Sequence, residues 1–286
     1  MERLSVPDLI RKSNDVRKDI INMLVEAGSG HPGGSLSAAD IMVALYFNVM
    51  DHNPKDPFWK DRDRFVLSKA HVCPVLYAAM AEAGYFPVGE LKTLRKMGSR
   101  LQGHTHMLKL PGVEVSGGSL GQGLSIAIGM AIGFKIDKKK QRVYCMMGDG
   151  ETQEGSVWEA AMSAAHFKLD NLVGIVDVNG LQIDGRTNDV MNIEPMRKKW
   201  EAFGWNVLEL DGHDMESILD AFAGAMEIKG KPTVLLASTV KGKGVSFMEN
   251  NAEWHGQAPT KEQGRIALDD LERARHEIEA SLGGDA

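Results

Sequence analysis

Apolar runs of strand length alternate along this chain with stretches of helical period, and that alternation constrains the fold more than any other feature. RFVLS at 64–68, RVYCMM at 142–147, LVGIVDV at 172–178, WNVLEL at 205–210 and PTVLLAST at 232–239 read as strands. Between and around them, helices are expected over 6–27, 38–49, 72–83, 122–135, 155–167 and 214–228. Near-continuous apolar strands separated by helices have both faces covered. The pattern therefore predicts an α/β fold, a parallel sheet with helices on both faces. No internal repeat or low-complexity linker divides the chain, so residues 1–286 are expected to form a single domain. That domain should end in a charged helix over about 260–282 that frays in the closing GGDA.

Composition excludes several classes. With 286 residues, 43% of them hydrophobic, the chain can bury a full core. A formal charge of -6 gives no basic field for nucleic acid. Cys73 and Cys145 lie far apart without a CxxC spacing, which points to a reducing compartment and away from a disulfide framework. The first twenty residues are charged and have no apolar leader core, and no stretch approaches the ~18 apolar residues of a bilayer span. The expectation is a soluble, cytoplasmic protein.

Glycine is in excess, at 31 residues, and it is clustered in GSGHPGG (28–34), GGSLGQG (117–123), GDG (148–150) and KGKG (241–244). Each cluster alone is consistent with a tight turn. Four of them, three followed by an expected helix, point to backbone that approaches a phosphate or cofactor closely. GDG, VNG and STVKGKG each follow or close an expected strand. Ligands in such sheets sit beyond the carboxyl ends of the strands, so these segments should meet on one rim. Asp149 at one strand end and Asn179 at another would then offer hard oxygen atoms suited to Mg²⁺, with backbone N–H groups nearby for a diphosphate.

GDGETQEGSVWEAA followed by VDVNGLQIDG resembles the thiamine diphosphate motif, a GDG and a distant NxxxIDG. SGHPGGSLSAADI (29–41), DRFVLSKAHVCPVLYA (63–78), GHTHMLKLPGVEVSGGSLGQG (103–123) and KGKG with WHGQAP (254–259) narrow the resemblance to the N-terminal, diphosphate-binding domain of transketolases. It covers nearly the whole chain in the family's order.

The resemblance implies a thiamine-diphosphate-binding fold and a role for each matching position. Asp149 and Asn179 would hold Mg²⁺, or another divalent cation such as Ca²⁺, through their side chains, and Leu181 through its carbonyl. Gly150, His71 and His255 would contact the diphosphate, and Gly118 and Leu120 would line the aminopyrimidine and thiazolium region. His31, His104 and His255 match the histidines that move protons at the C1–C2 end of the sugar. Imidazole suits that task because it exchanges protons near neutral pH. Lys241 is assigned to the diphosphate from its place beside glycines at a strand end. Glu154 and Glu159 match acids near the family's subunit interface, although a spacing of five sets them about 140° apart on a helix.

The family continues into a pyrimidine-binding domain and a smaller third domain. With the chain taken as complete, the resemblance implies one half of a split transketolase. It would transfer a two-carbon ketol unit between a ketose phosphate and an aldose phosphate with a partner subunit, in an α₂β₂ assembly. The partner would supply the glutamate that contacts the aminopyrimidine and the residues for the sugar phosphate. The alternatives are the α subunit of a 2-oxo acid dehydrogenase, deoxyxylulose-phosphate synthase, and a non-catalytic cofactor-binding or regulatory subunit. SGHPGG and the separate GHTH segment favour transketolase. His52, His166, His213 and His276 fall outside the motifs and receive no role. His104 and His106 lack a third ligand for zinc, and Cys73 is read as a packed thiol.

Overall fold

The computed structural model describes residues 3–283. Ser5 caps the first helix, α1 (Val6–Ala27), and Gly28 ends it in the left-handed region at φ 64°. Two short helices follow, α2 (Pro32–Ser37) and α3 (Ala39–Ala44), and α3 runs into a π-helical turn over Leu45–Val49. The single helix expected over 38–49 is therefore two pieces with different winding. Strand β1 (Arg64–Leu67) precedes α4 (Cys73–Glu82) and α5 (Gln122–Ile136). Next come β2 (Val143–Gly148), α6 (Gly155–His166) and β3 (Leu172–Val178). A small hairpin, β4 (Leu181–Gln182) with β5 (Gly185–Arg186), leads to α7 (Thr187–Val190) and α8 (Met196–Ala202). The chain then forms β6 (Asn206–Asp211), α9 (Met215–Glu227), β7 (Thr233–Ser238) and α10 (Lys261–Gly283). The last three residues of GGDA lie outside the described residues.

The five long strands form one sheet in the order β1-β2-β3-β7-β6, parallel throughout. Side chains alternate between its faces, as the two-residue period of a strand requires. Tyr144, Met146, Ile175 and Leu235 join the layer that includes residues of α1, α3, α4 and α9. Val143, Cys145, Met147, Val176 and Leu236 join the layer of α5, α6 and α8. Both layers are needed because the strands are apolar on both sides, and each large side chain so buried contributes roughly 1.5–3 kcal/mol. In the second layer Trp200 is fully buried, with ring centroids 5.1 Å from Trp158 and 5.0 Å from Trp205. Helix α10 returns to α1, where the Asn14 amide donates to the Leu271 carbonyl at 3.0 Å.

Register sets the rim. Asp177 on β3 lies opposite Gly148 on β2 and Ala237 on β7, so those three strands release their chains at the same level. The polar turns after β1, β2, β3 and β7 therefore emerge side by side. No helix among the described residues is long and apolar enough to cross a membrane.

Candidate cofactor and active site

The turn after β2 is held by its own aspartate. Asp149 Oδ1 accepts from the Gly150 N–H at 2.7 Å. Oδ2 accepts from the Gly180 N–H at 2.7 Å and from the Thr187 hydroxyl at 3.1 Å, which ties this turn to the one after β3. Burial, reinforced by the nearby charge of Asp177, raises the Asp149 carboxyl above its usual range. Across the cleft Asn179 Oδ1 accepts from the Leu181 N–H at 3.2 Å, and its Nδ2 donates to Asp177 at 3.1 Å. The Leu181 carbonyl accepts from Lys241 Nζ at 3.0 Å, and the same ammonium stands 3.1 Å from His255 Nδ1.

Beneath these residues lies charge that the sequence reading missed. Asp177 is fully buried and forms an ion pair with Lys69, itself almost fully buried. Asp177 also accepts from Ser37 Oγ at 2.6 Å and from Thr239 Oγ1. Glu151, buried beside the GDG turn, accepts from the Gly121 N–H at 2.9 Å, the Gly148 N–H at 3.0 Å and the Ser68 hydroxyl. It joins the ends of β1 and β2 to the loop before α5. Asp177 carried a readable signal, a charge inside the apolar run LVGIVDV, because a buried charge needs a partner. Its partner Lys69 is 108 positions away and could not be paired to it from sequence.

Four histidines stand together above this floor. The His31 ring centroid is 5.0 Å from that of His71, 5.6 Å from His255 and 6.4 Å from His104, and His71 stacks on His255 at 5.3 Å. Burial, then the charge of Arg95, lowers His31 to about 4. Burial, then Lys241, lowers His255 to about 4, and burial takes His71 well below its ordinary value. His104 is lowered by partial burial and Arg95. These imidazoles are therefore neutral near pH 7. Among the described residues His31 Nδ1 is buried without a hydrogen-bond partner. Burial lowers Lys241 to about 8.

His31, His71, Gly118, Leu120, Asp149, Gly150, Glu154, Asn179, Leu181, Lys241 and His255 all line one cleft of about 350 Å³, joined by Lys69, Glu151, Gln153 and Gln182. His104 is more exposed and lines the adjoining hollow with Arg95 and Ser29. Glu159 lies one turn into α6 and is exposed, outside the cleft. No group of three metal-binding His, Cys, Asp or Glu residues occurs among the described residues. Cys73 is fully buried and its thiol is pushed up to about 12 by that burial, so it is inert packing. Of the histidines given no role, His166 and His276 are exposed on helices. His52 is buried with ring nitrogens 2.6 Å from the Tyr46 carbonyl and 3.0 Å from the Tyr85 hydroxyl. His213 stands against Asp40, away from the cleft.

The residues present fit a divalent cation with a diphosphate. Asp149, Asn179 and the Leu181 carbonyl supply oxygen donors alone, the preference of Mg²⁺ and Ca²⁺. Among the described residues Asp149 takes only neutral hydrogen-bond donors, so a cation would offset its buried charge. Gly33 shows the space economy of the rim. A Cβ there would come within 2.9 Å of both Lys241 Cγ and the Trp254 carbonyl.

A family described as "Transketolase, thiamine diphosphate binding domain" matches residues 11–269. The 6-deoxy-6-sulfo-D-fructose transketolase subunit SqwG of Clostridium sp. (strain MSTE9) is 43% identical over 266 residues, 93% of this chain and 97% of that protein. An apulose-4-phosphate transketolase subunit of Phocaeicola vulgatus is 43% identical over 281 residues, 98% of this chain and 100% of that protein. Among solved structures, the transketolase of Leishmania mexicana superimposes with a TM-score of 0.83 at 30% identity. The match covers 98% of this chain and 46% of that one, so the chain spans less than half the length of that solved relative.

Proposed function

The chain belongs to the transketolase family through its thiamine diphosphate-binding domain, and from that premise we propose that it is the diphosphate-binding subunit of a split transketolase. Its reaction is the transfer of a two-carbon ketol unit from a ketose to an aldose. The observation that carries the reading is the convergence of Asp149, Asn179, the Leu181 carbonyl, Lys241 and three neutral histidines in one cleft. The relatives it matches along almost their whole length are named as transketolase subunits, which favours ketol transfer over 2-oxo acid oxidation.

Asp149, Asn179 and the Leu181 carbonyl would hold Mg²⁺ or Ca²⁺, and the Gly150 N–H, His71, His255 and Lys241 would face the diphosphate. Lys241 would exchange its bond to Leu181 for a diphosphate oxygen, leaving that carbonyl for the metal. Thiamine diphosphate, when bound, supplies the electron sink for the ketol carbons. The chain's own part is placement and proton transfer. Gly118 and Leu120 line the space for the cofactor's rings. His31, His255 and His104 would take the proton of a donor hydroxyl and return one to the acceptor. Each is neutral at pH 7, as a base must be.

The partner is a subunit carrying the pyrimidine-binding domain, and two such pairs form an α₂β₂ assembly in the cytoplasm. Glu154 at the cleft mouth and Glu159 on the exposed side of α6 would face that assembly's interface. The ketoses in the relatives' names carry an anionic sulfo or phosphate group, so an anionic ketose is the substrate class. The test is a discontinuous sugar assay of the assembled pair with 6-deoxy-6-sulfofructose, apulose 4-phosphate and a pentulose phosphate. Transfer of two carbons from at least one to an aldose phosphate is expected. Failure with all three, with cofactor bound, would overturn the proposal.

A further inference from the structure

His213 lies in the turn between β6 and α9, and only 13% of its side chain is exposed. Its Nδ1 is 2.7 Å from Asp40 Oδ2, and its Nε2 accepts from the backbone N–H of Val240 at 2.8 Å. A ring nitrogen facing an N–H must be unprotonated, so the ring is the Nδ1–H tautomer and donates to Asp40. Arg17 grips both oxygens of Asp40, through Nη1 at 3.0 Å and through Nη2. Burial alone would raise the Asp40 carboxyl, but Arg17 and His213 outweigh it and hold the group below its usual range. The Arg17–Asp40 pair is already bidentate without His213. Beyond its bond to Asp40, the imidazole adds a fixed acceptor for Val240.

Val240 immediately precedes Lys241. The Gly242 N–H donates to the Gly33 carbonyl at 2.9 Å, and the Lys241 carbonyl accepts from the Asn250 N–H at 2.9 Å. The lysine stem presses on Gly33, and its ammonium reaches Leu181 and His255. Upstream, Thr239 is tied to Asp177 and to the Val178 carbonyl. Between those anchors, the Val240 N–H is the strand-end group taken up by a side chain from another turn.

We propose that His213, braced by Asp40, is a positioning residue that holds Val240 and thereby sets Lys241 at the diphosphate end of the cleft. The inference rests on the thiamine diphosphate reading of that cleft. His213 does not line the cofactor cleft; it acts through Lys241.

The test is calorimetric titration of thiamine diphosphate with Mg²⁺ into the assembled enzyme, as a double-mutant cycle. His213→Phe keeps the ring and removes both hydrogen bonds, and it should weaken cofactor affinity roughly tenfold, the scale of a lost buried hydrogen bond. His213→Gln keeps a donor and an acceptor on one planar group and should recover most of that affinity. In a Lys241→Ala background, His213→Phe should change affinity less than about twofold, because nothing remains to position. Unchanged affinity in His213→Phe, or the same loss with and without Lys241, would overturn the inference. If the unsubstituted enzyme binds no thiamine diphosphate, the cofactor reading itself falls and takes this inference with it.

Discussion

Asp177→Asn removes the carboxylate that pairs directly with Lys69 beneath the cleft. Asp177 is 0% exposed and Lys69 3%, so neither can turn to water without opening the strand ends. Burial by itself would raise the Asp177 carboxyl; Lys69, Ser37 and Thr239 together bring it below the usual range. The amide can still accept one or two of those hydrogen bonds, but it leaves the buried ammonium without its direct ion-pair partner. Breaking a buried pair in this way costs about 3–5 kcal/mol, a large share of a stability of roughly 5–15 kcal/mol. Equilibrium urea unfolding should show a lower midpoint with an unchanged slope. Lys69→Met should cost a similar amount, since it strands the carboxylate instead. The double variant leaves no charge unpaired and should recover at least half of the loss. A cost below about 1 kcal/mol in Asp177→Asn, the worth of an exposed pair, would refute the reasoning. So would a double variant in which the two losses simply add.

Asp149→Asn should lower Mg²⁺-dependent cofactor affinity by at least about 100-fold. It should leave the urea midpoint the same or higher, because burial already disfavours the Asp149 charge; unchanged affinity by calorimetry would sink the metal assignment. His104→Ala should reduce turnover by ~10²–10⁴-fold with a much smaller change in cofactor affinity, and near-full kcat would remove its role in proton transfer. For the cofactor-free chain, His31 is lowered from 6.5 to about 4, and His52 is lowered too, both chiefly by burial. Their neutral forms favour the fold fully above pH 6.5, and that contribution is lost as pH falls towards 4. Because Asp19, raised to about 7 by burial, acts in the opposite direction, the test is differential. Relative to the unsubstituted chain, the urea midpoint of a His31→Gln, His52→Gln variant should rise as pH falls from 7.5 to 5, and a constant difference would contradict this.

The long strands were legible because β2, β3 and β7 are buried on both faces and read as unbroken apolar runs. Helices α1, α6 and α9 were legible from their apolar spacing, and α5 from small residues at helical spacing. Helix α2 was not, since GSGHPGG has the composition of a loop. Its glycines are required by what surrounds them, Lys241 and Trp254 at Gly33 and Val72 at Gly34. Tertiary approach overrides propensity there. The hairpin of β4 and β5 has two residues in each strand, too few for any period to emerge. In the site, residues within glycine-rich motifs could be named in advance. Lys69, Glu151 and His213 could not, because their meaning lies in partners on other elements.

If this chain holds one side of a cofactor site that a second polypeptide completes, neither half should work without the other. The most direct measurement is ketol transfer by the purified chain with saturating thiamine diphosphate and Mg²⁺, before and after adding a subunit that carries the pyrimidine-binding domain. The expected result is no transfer by the chain alone, and the appearance of turnover together with tight cofactor binding once the partner is present. Robust turnover by the chain alone, after mass spectrometry has excluded a co-purified partner, would contradict it.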